Sequence, residues 1–159
     1  MTKEILVIDD NLDIRLLIAG ILKDNGYEVR EGANFDQALL EINKKIPDVA
    51  VVDVKLDKGD NDGIELLKLI KKIDDDVPVI MISGHANVQM AVDSLKLGAF
   101  EFMQKPFSTE RLLNFINRAF ENLELKKEKR ILESKLFHSY EIVGQSQQIE
   151  KIKNLITKL

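Results

Sequence analysis

The sequence has no cysteine, no tryptophan and only two histidines among its 159 residues. Without cysteine, disulfides, thiolate catalysis and zinc–cysteine sites are excluded. The two histidines, His85 and His138, are too few for most histidine-based metal centres. No stretch approaches the roughly 18 consecutive apolar residues of a membrane span, and the N-terminus reaches carboxylates too soon for a signal peptide. We therefore expect a cytoplasmic protein with no membrane partner.

Charge is distributed unevenly along the chain. Residues 1–120 carry 15 Lys and Arg against 21 Asp and Glu, a net charge of −6, whereas residues 121–159 carry a net charge of +2. The acidic part argues against direct binding to nucleic acid, which favours a basic surface. The chain also exceeds the usual domain size of about 100–150 residues. The composition therefore predicts one domain followed by a second, different part.

Two hydrophobic periodicities alternate through the first 120 residues. Short runs that are apolar at nearly every position predict parallel strands covered on both faces. The strong runs are Ile5–Ile8, Val49–Val52 and Val77–Ile82, and two weaker ones are Tyr27–Glu31 and Phe100–Gln104. Helical spacing lies between the runs, as in Val88, Ala91, Val92 and Leu95, which share one face of a fourth helix. Gly26 and Gly98 stand where helices should stop. Right-handed crossovers then predict an α/β fold with a doubly wound five-stranded parallel sheet.

Polar residues follow four of the predicted strands, at the points where these strands end. They are Asp9 and Asp10, then Asp53, then Ser83, and finally Lys105 followed by Pro106. Because ligands bind beyond the carboxyl ends of parallel strands, we expect these groups to share one pocket. Three carboxylates raise one another's pKa unless a cation neutralises them. An all-oxygen cluster suits Mg²⁺, and a lysine suits a phosphoryl oxygen. The set indicates a phosphoryl-transfer site.

Each of these residues taken alone has a simpler explanation. Adjacent aspartates are usually solvated surface charges, and a single Asp after an apolar run is often a helix N-cap. The Ser83-Gly84 pair reads as a turn, and His85 beside it is better explained as an exposed loop histidine than as a catalytic group. It is the convergence of four strand ends that favours a functional site.

The sequence resembles the receiver domains of bacterial two-component response regulators over residues 4 to about 120. The resemblance rests on the segments ILVIDDN, VVDVKL, DGIELL, VIMISGHA and LKLGAFEFMQKPF. It implies a flavodoxin-like fold with strand order 2-1-3-4-5. It also implies that Asp53 accepts a phosphoryl group from a sensor histidine kinase. Asp10, Asp53 and the backbone carbonyl of Lys55 would hold Mg²⁺, with Asp9 acting largely through water.

The resemblance assigns the remaining site residues to the response after phosphorylation. Lys105 would contact the phosphoryl group, Ser83 would respond to it, and Phe102 occupies the position of the family's switch aromatic residue. The peptide bond before Pro106 is typically cis in this family. Such a chain would change conformation on phosphorylation and would not itself be an enzyme, apart from slow self-dephosphorylation.

One loop departs from the family pattern. Receivers usually carry Met-Pro soon after the phosphoacceptor and Asp-Gly seven residues along, whereas here the segment reads VKLDKGDNDG. Asp62-Gly63 falls nine residues after Asp53, which indicates a two-residue insertion. The longer loop, together with ISGHANVQMAVDSLKLGAF, resembles the NtrX branch of the NtrC-type regulators.

The last forty residues predict a linker and the start of another domain. The fifth helix does not stop, because residues 121–138 lack Gly and Pro and are dominated by strong helix formers. A thin seam of Leu125, Leu132 and Leu136 favours a short dimeric coiled coil over a solvated single helix. Residues 139–159 resemble the opening of the AAA+ domain of NtrC-type activators of sigma-54 RNA polymerase. No phosphate-binding GxxxxGK[ST] loop occurs in the chain.

The expected partners follow from this resemblance. They are a sensor histidine kinase and a second copy of the chain, docked through the helix 4–strand 5–helix 5 face, the coiled coil, or both. Sigma-54 RNA polymerase and DNA would be reached only through domains that this chain lacks. Three alternatives stay open: an FMN-binding flavodoxin-like protein, a Mg²⁺-dependent phosphatase with an aspartate nucleophile, and an interaction module that works without phosphorylation.

Overall fold

Five parallel strands form one sheet, and five helices connect and follow them. The structure is a computed structural model that describes residues 2–57, 59, 61–85 and 87–143, with side chains to residue 137. The strands are β1 (Glu4–Ile8), β2 (Glu28–Gly32), β3 (Val49–Asp53), β4 (Val79–Ser83) and β5 (Glu101–Gln104). The helices are α1 (Leu12–Asp24), α2 (Phe35–Lys44), α3 (Asp62–Ile73), α4 (Val88–Lys96) and α5 (Thr109–Val143).

The strand order is β2-β1-β3-β4-β5, with every neighbouring pair parallel. The chain therefore moves outward in one direction from β1 and in the other from β3, so the strand order reverses between these two strands. A crevice for ligands opens at the carboxyl ends of the strands at such a reversal. This topology confirms the predicted five-stranded, doubly wound fold, and α5 confirms the predicted extended C-terminal helix.

Apolar residues at nearly every strand position form the core. All five residues of β3 and of β4 are buried, because helices cover both faces of the sheet. The predicted bounds of the strands shift by one or two residues. In particular, β4 begins at Val79, after Pro78, and extends to Ser83, and β3 includes Asp53 itself.

Asparagine side chains begin three of the helices. Asn11, Asn34 and Asn87 each precede a helix and accept a hydrogen bond from the backbone N–H three residues later, at 3.2, 2.8 and 2.7 Å. Each bond satisfies a donor that the first helical turn leaves unpaired. The helix stops predicted at Gly26 and Gly98 are confirmed, since both glycines adopt positive φ angles (88° and 103°) just after α1 and α4.

Three of the four apolar residues that define the predicted face of α4 are exposed, whereas Met90 of the same helix packs against the core. Val88 is 81% exposed, Val92 37% and Leu95 46%. The buried residue of this helix is Ser94. Its hydroxyl group has a hydrogen-bond partner, because it donates to the Met90 carbonyl at 2.9 Å. The helical spacing in the sequence is thus correct, but it marks a face turned toward solvent.

The chain divides into two compact units, Met1–Glu121 and Asn122–Leu159. In the second unit, Leu125, Leu132 and Leu136 are 64%, 62% and 45% exposed. Of the predicted AAA+ segment, residues 139–159, the first five residues belong to α5, and residues 144–159 lie outside the described part of the chain. None of the helices in the described part of the chain combines the length and the hydrophobicity of a membrane span.

Candidate phosphoryl-transfer site

Three aspartates lie together at the carboxyl ends of β1 and β3. Asp9 and Asp10 directly follow β1, and Asp53 is the last residue of β3. One carboxylate oxygen from each residue lies within 4.8 Å of the others. Asp9 is completely buried and Asp53 is 5% exposed, whereas Asp10 is exposed. The structure therefore brings the three predicted carboxylates into one cluster, with two members inside the protein and one at the surface.

Lys105 brings its ammonium group to this cluster from the end of β5. Its backbone N–H donates to the Ser83 carbonyl at 2.8 Å, and the Lys105–Pro106 peptide bond that follows is cis. The Nζ atom lies 2.8 Å from Asp9 Oδ2 and 3.0 Å from Asp53 Oδ2. One cation therefore bridges the two buried carboxylates.

The electrostatics of the cluster raise the pKa of Asp53 to about 6. Burial is the largest cause, and repulsion from Asp9 adds to it, while Lys105 and the Lys55 backbone N–H act in the opposite direction. Burial acts to lower the pKa of Lys105, but the close Asp9 and Asp53 carboxylates outweigh that effect, so its pKa is raised. At neutral pH the site is thus an ion pair that still carries excess negative charge.

Asp9 is held in place by its own loop and by α1. Its Oδ1 accepts from the Asn11 N–H at 2.9 Å, and its backbone carbonyl accepts from the Arg15 guanidinium at 3.0 Å. Asp9 Oδ2 is buried, and among the described residues no donor meets hydrogen-bond geometry toward it, although the Lys105 charge is close. Three carboxylates against one ammonium leave two negative charges, which a divalent cation would neutralise. This donor set fits Mg²⁺, an ion that prefers oxygen ligands.

Ser83 lies at the same edge, at the end of β4. It is 4% exposed, and its hydroxyl oxygen accepts from the His85 N–H at 3.2 Å. Both residues line an open cleft together with Asp53, Lys55 and Lys105. His85 is exposed there, as predicted. Phe102 does not line this cleft; its partly buried ring packs against the hydrophobic core.

The loop after Asp53 is fixed by the Asp62-Gly63 pair at the start of α3. Asp62 Oδ1 accepts from the Leu56 N–H, and the Gly63 N–H donates to the Val54 carbonyl at 2.8 Å. A Cβ at position 63 would overlap the Asp53 carbonyl oxygen and lie 2.7 Å from the Val54 oxygen. Only glycine permits this approach, so the Asp62-Gly63 pair fixes the start of α3 against the end of β3.

The cleft also contains residues that the sequence did not single out. Asn11, Ile14, Asn61 and Met90 line it beside the predicted residues. Each lies at or just inside the start of a helix that follows a strand. That position is the sequence signal by which they could have been found.

Comparison with known proteins identifies the family. Residues 5–117 match the response regulator receiver domain. Over its whole length the chain is 40% identical to the nitrogen assimilation regulatory protein NtrX of Azorhizobium caulinodans, of which it covers 35%. The chain thus spans about a third of the length of the curated relatives it matches.

Solved structures agree with this match. The receiver domain of NtrX from Brucella abortus is 45% identical, with a TM-score of 0.69, and the match covers 74% of this chain and 98% of that one. The beryllofluoride-activated NtrC4 receiver domain, solved as a dimer in solution, is 38% identical, with a TM-score of 0.71 and coverage of 77% and 99%. The predicted resemblance is confirmed: the chain belongs to the response regulator receiver domain family.

Proposed function

We propose that the chain accepts a phosphoryl group on Asp53, in a Mg²⁺-dependent transfer from the phosphohistidine of a sensor kinase. The observation that carries this proposal is the buried Asp53 carboxylate, which lies in an acidic cluster beside Lys105 and opens onto a cleft. A carboxylate oxygen of Asp53 attacks phosphorus, the P–N bond breaks, and the imidazole leaves with its electron pair and takes up a proton. The product is an acyl phosphate.

The charges of the site suit each part of this transfer. A pKa of about 6 leaves Asp53 ionised at pH 7.5 while making it more basic than a solvated aspartate. The Lys105 ammonium group contacts Asp53 Oδ2 at 3.0 Å. From there it can neutralise an oxygen of the incoming phosphoryl group. Asp10, Asp53 and the Lys55 carbonyl would hold Mg²⁺, with Asp9 acting through water, and the ion would supply the further positive charge that phosphoryl transfer requires.

Phosphorylation would act as a switch rather than as a step of catalytic turnover. The added charge draws Lys105 and Ser83 toward the phosphoryl group and shifts the population of a second state through Phe102. The exposed apolar side chains of α4 support a docking role for the α4–β5–α5 face, and an activated relative was solved as a dimer. The exposed leucine seam of residues 125–136 supports a second contact, a coiled coil between two copies.

The output of the switch would be control of transcription. The relatives are named as regulators, and the chain covers about a third of their length. We extend their role to this chain: a cytoplasmic regulator of the nitrogen pathway, acting through AAA+ and DNA-binding domains on sigma-54 RNA polymerase.

Intact-protein mass spectrometry tests the proposal. After incubation with acetyl phosphate and Mg²⁺, the wild type should gain one phosphoryl group, about 80 Da, and Asp53→Asn should gain none. Turnover of small phosphate esters that Asp53→Ala abolishes would instead identify a phosphatase. No adduct on the wild type, or an equal adduct on the variant, would contradict the proposal.

A further inference from the structure

The loop between β3 and α3, residues 54–61, is two residues longer than the family pattern, and the phosphoryl chemistry proposed above gives the extra length no role. We call this segment the phosphoacceptor loop, because it begins directly after Asp53. The structure describes its residues 54–57, 59 and 61. Lys55, in the first part of this loop, lines the cleft.

Two consecutive residues fasten the loop on the side of the sheet. The Lys55 N–H donates to Asp53 Oδ1 at 3.3 Å. The Leu56 side chain is 4% exposed and belongs to the hydrophobic core, and its N–H donates to Asp62. The peptide unit between Lys55 and Leu56 contains the Lys55 carbonyl. The position of this carbonyl therefore depends on how Leu56 and the residue after it are held.

Asp57 fastens the loop on the other side, to a different helix. Its Oδ1 accepts from the Phe35 N–H, in the first turn of α2, at 3.0 Å. The ring of Phe35 packs against the core. The two other side chains at the start of α2 serve different donors: Asn34 accepts from the Gln37 N–H, and Gln37 accepts from the Ala33 N–H. A carboxylate at a helix N-terminus is also favoured by the helix dipole. Asp57 therefore ties the longer loop to a rigid element that is not part of the acidic cluster.

We propose that Asp57 is a positioning residue for the metal site: by binding the N-terminus of α2, it holds residues 55–57 so that the Lys55 carbonyl faces the acidic cluster. This inference rests on the proposed Mg²⁺ site. Loss of the bond frees one end of a short segment, which lowers Mg²⁺ affinity without removing any ligand.

Calorimetric titration with Mg²⁺ alone tests this role. Asp57→Ala should weaken Mg²⁺ binding about three- to tenfold, as expected for loss of one helix-cap hydrogen bond. Asp57→Asn keeps an acceptor oxygen but not the charge, and should stay within about twofold of the wild type. Asp24→Ala removes the same charge from an exposed position at the end of α1, and is the control expected to change little. Amide hydrogen exchange at Phe35 should accelerate in Asp57→Ala and not in Asp57→Asn.

The outcomes separate this inference from the proposed function. If the wild type binds Mg²⁺, Asp53→Asn greatly weakens binding and Asp57→Ala leaves it unchanged, the metal site stands and the positioning role is wrong. If Asp57→Asn or Asp24→Ala weakens binding as much as Asp57→Ala, charge alone explains the effect and the role is also overturned. If the wild type does not bind Mg²⁺, both proposals fail.

Discussion

Asp53 should destabilise the folded protein at neutral pH, so replacing it with asparagine should stabilise the fold. Its pKa rises from 3.8 to about 6 on folding, which means that the folded state binds this proton more tightly than the unfolded state. Above pH 6 the ionised carboxylate therefore costs folding free energy, and the cost disappears as the pH falls through 6 toward 4. A rise of this size corresponds to about 3 kcal/mol at pH 7.5 and about half of that at pH 5.

Urea unfolding in EDTA measures this effect directly. Asp53→Asn should exceed the wild type by about 3 kcal/mol at pH 7.5, and the gain should shrink at pH 5. In the variant the amide oxygen can still accept from the Lys55 N–H, but the amide nitrogen replaces the oxygen that accepts from Lys105, so the change of the gain with pH is what reports the charge. Asp24→Asn, an exposed position at the end of α1, should stay within about 0.5 kcal/mol at both pH values. A variant that is no more stable than the wild type, or a gain independent of pH, would refute the electrostatic reasoning.

Three further predictions concern the supporting structure. Gly63→Ala should lower the free energy of unfolding by about 3 kcal/mol in the same assay, because the added Cβ overlaps the end of β3. Gly20→Ala, at a helical position where nothing lies within 4 Å, should raise it by about 0.5–1 kcal/mol. Equal effects of the two substitutions would contradict the steric argument. Asn87→Ala removes the cap of α4 and should cost about 1 kcal/mol, seen as faster amide exchange in α4 alone. Leu132→Asp on the seam should weaken dimers in sedimentation experiments, whereas Ile131→Asp, also exposed but off the seam, should not. A wild type that stays monomeric would refute the coiled coil.

Much of the sheet could be predicted because its information is local. Strands buried on both faces need apolar residues at every position, and β3 and β4 show this directly in the sequence. The order of these strands and the shared edge then place Asp9, Asp53 and Lys105 together with little further input. The site is predictable because topology, rather than side-chain detail, assembles it.

The rest depends on which surfaces meet, which periodicity does not encode. The spacing of apolar residues in α4 is the same whether they face the core or solvent, so only the structure shows that Val88 and Leu95 are exposed. The closeness of Gly63 to the backbone of Asp53 and the bond between Asp57 and α2 join residues that are distant in the chain or in different elements. No local pattern reports such contacts.

Mapping the modified residue tests the central claim most directly. The protein is incubated with acetyl phosphate, with Mg²⁺ or with EDTA, then reduced with borohydride, which converts an aspartyl phosphate to homoserine, and its peptides are sequenced by tandem mass spectrometry. The account predicts homoserine at position 53 in the Mg²⁺ sample and at no other aspartate, with none in EDTA. Homoserine at another aspartate, or equal conversion without Mg²⁺, would contradict it.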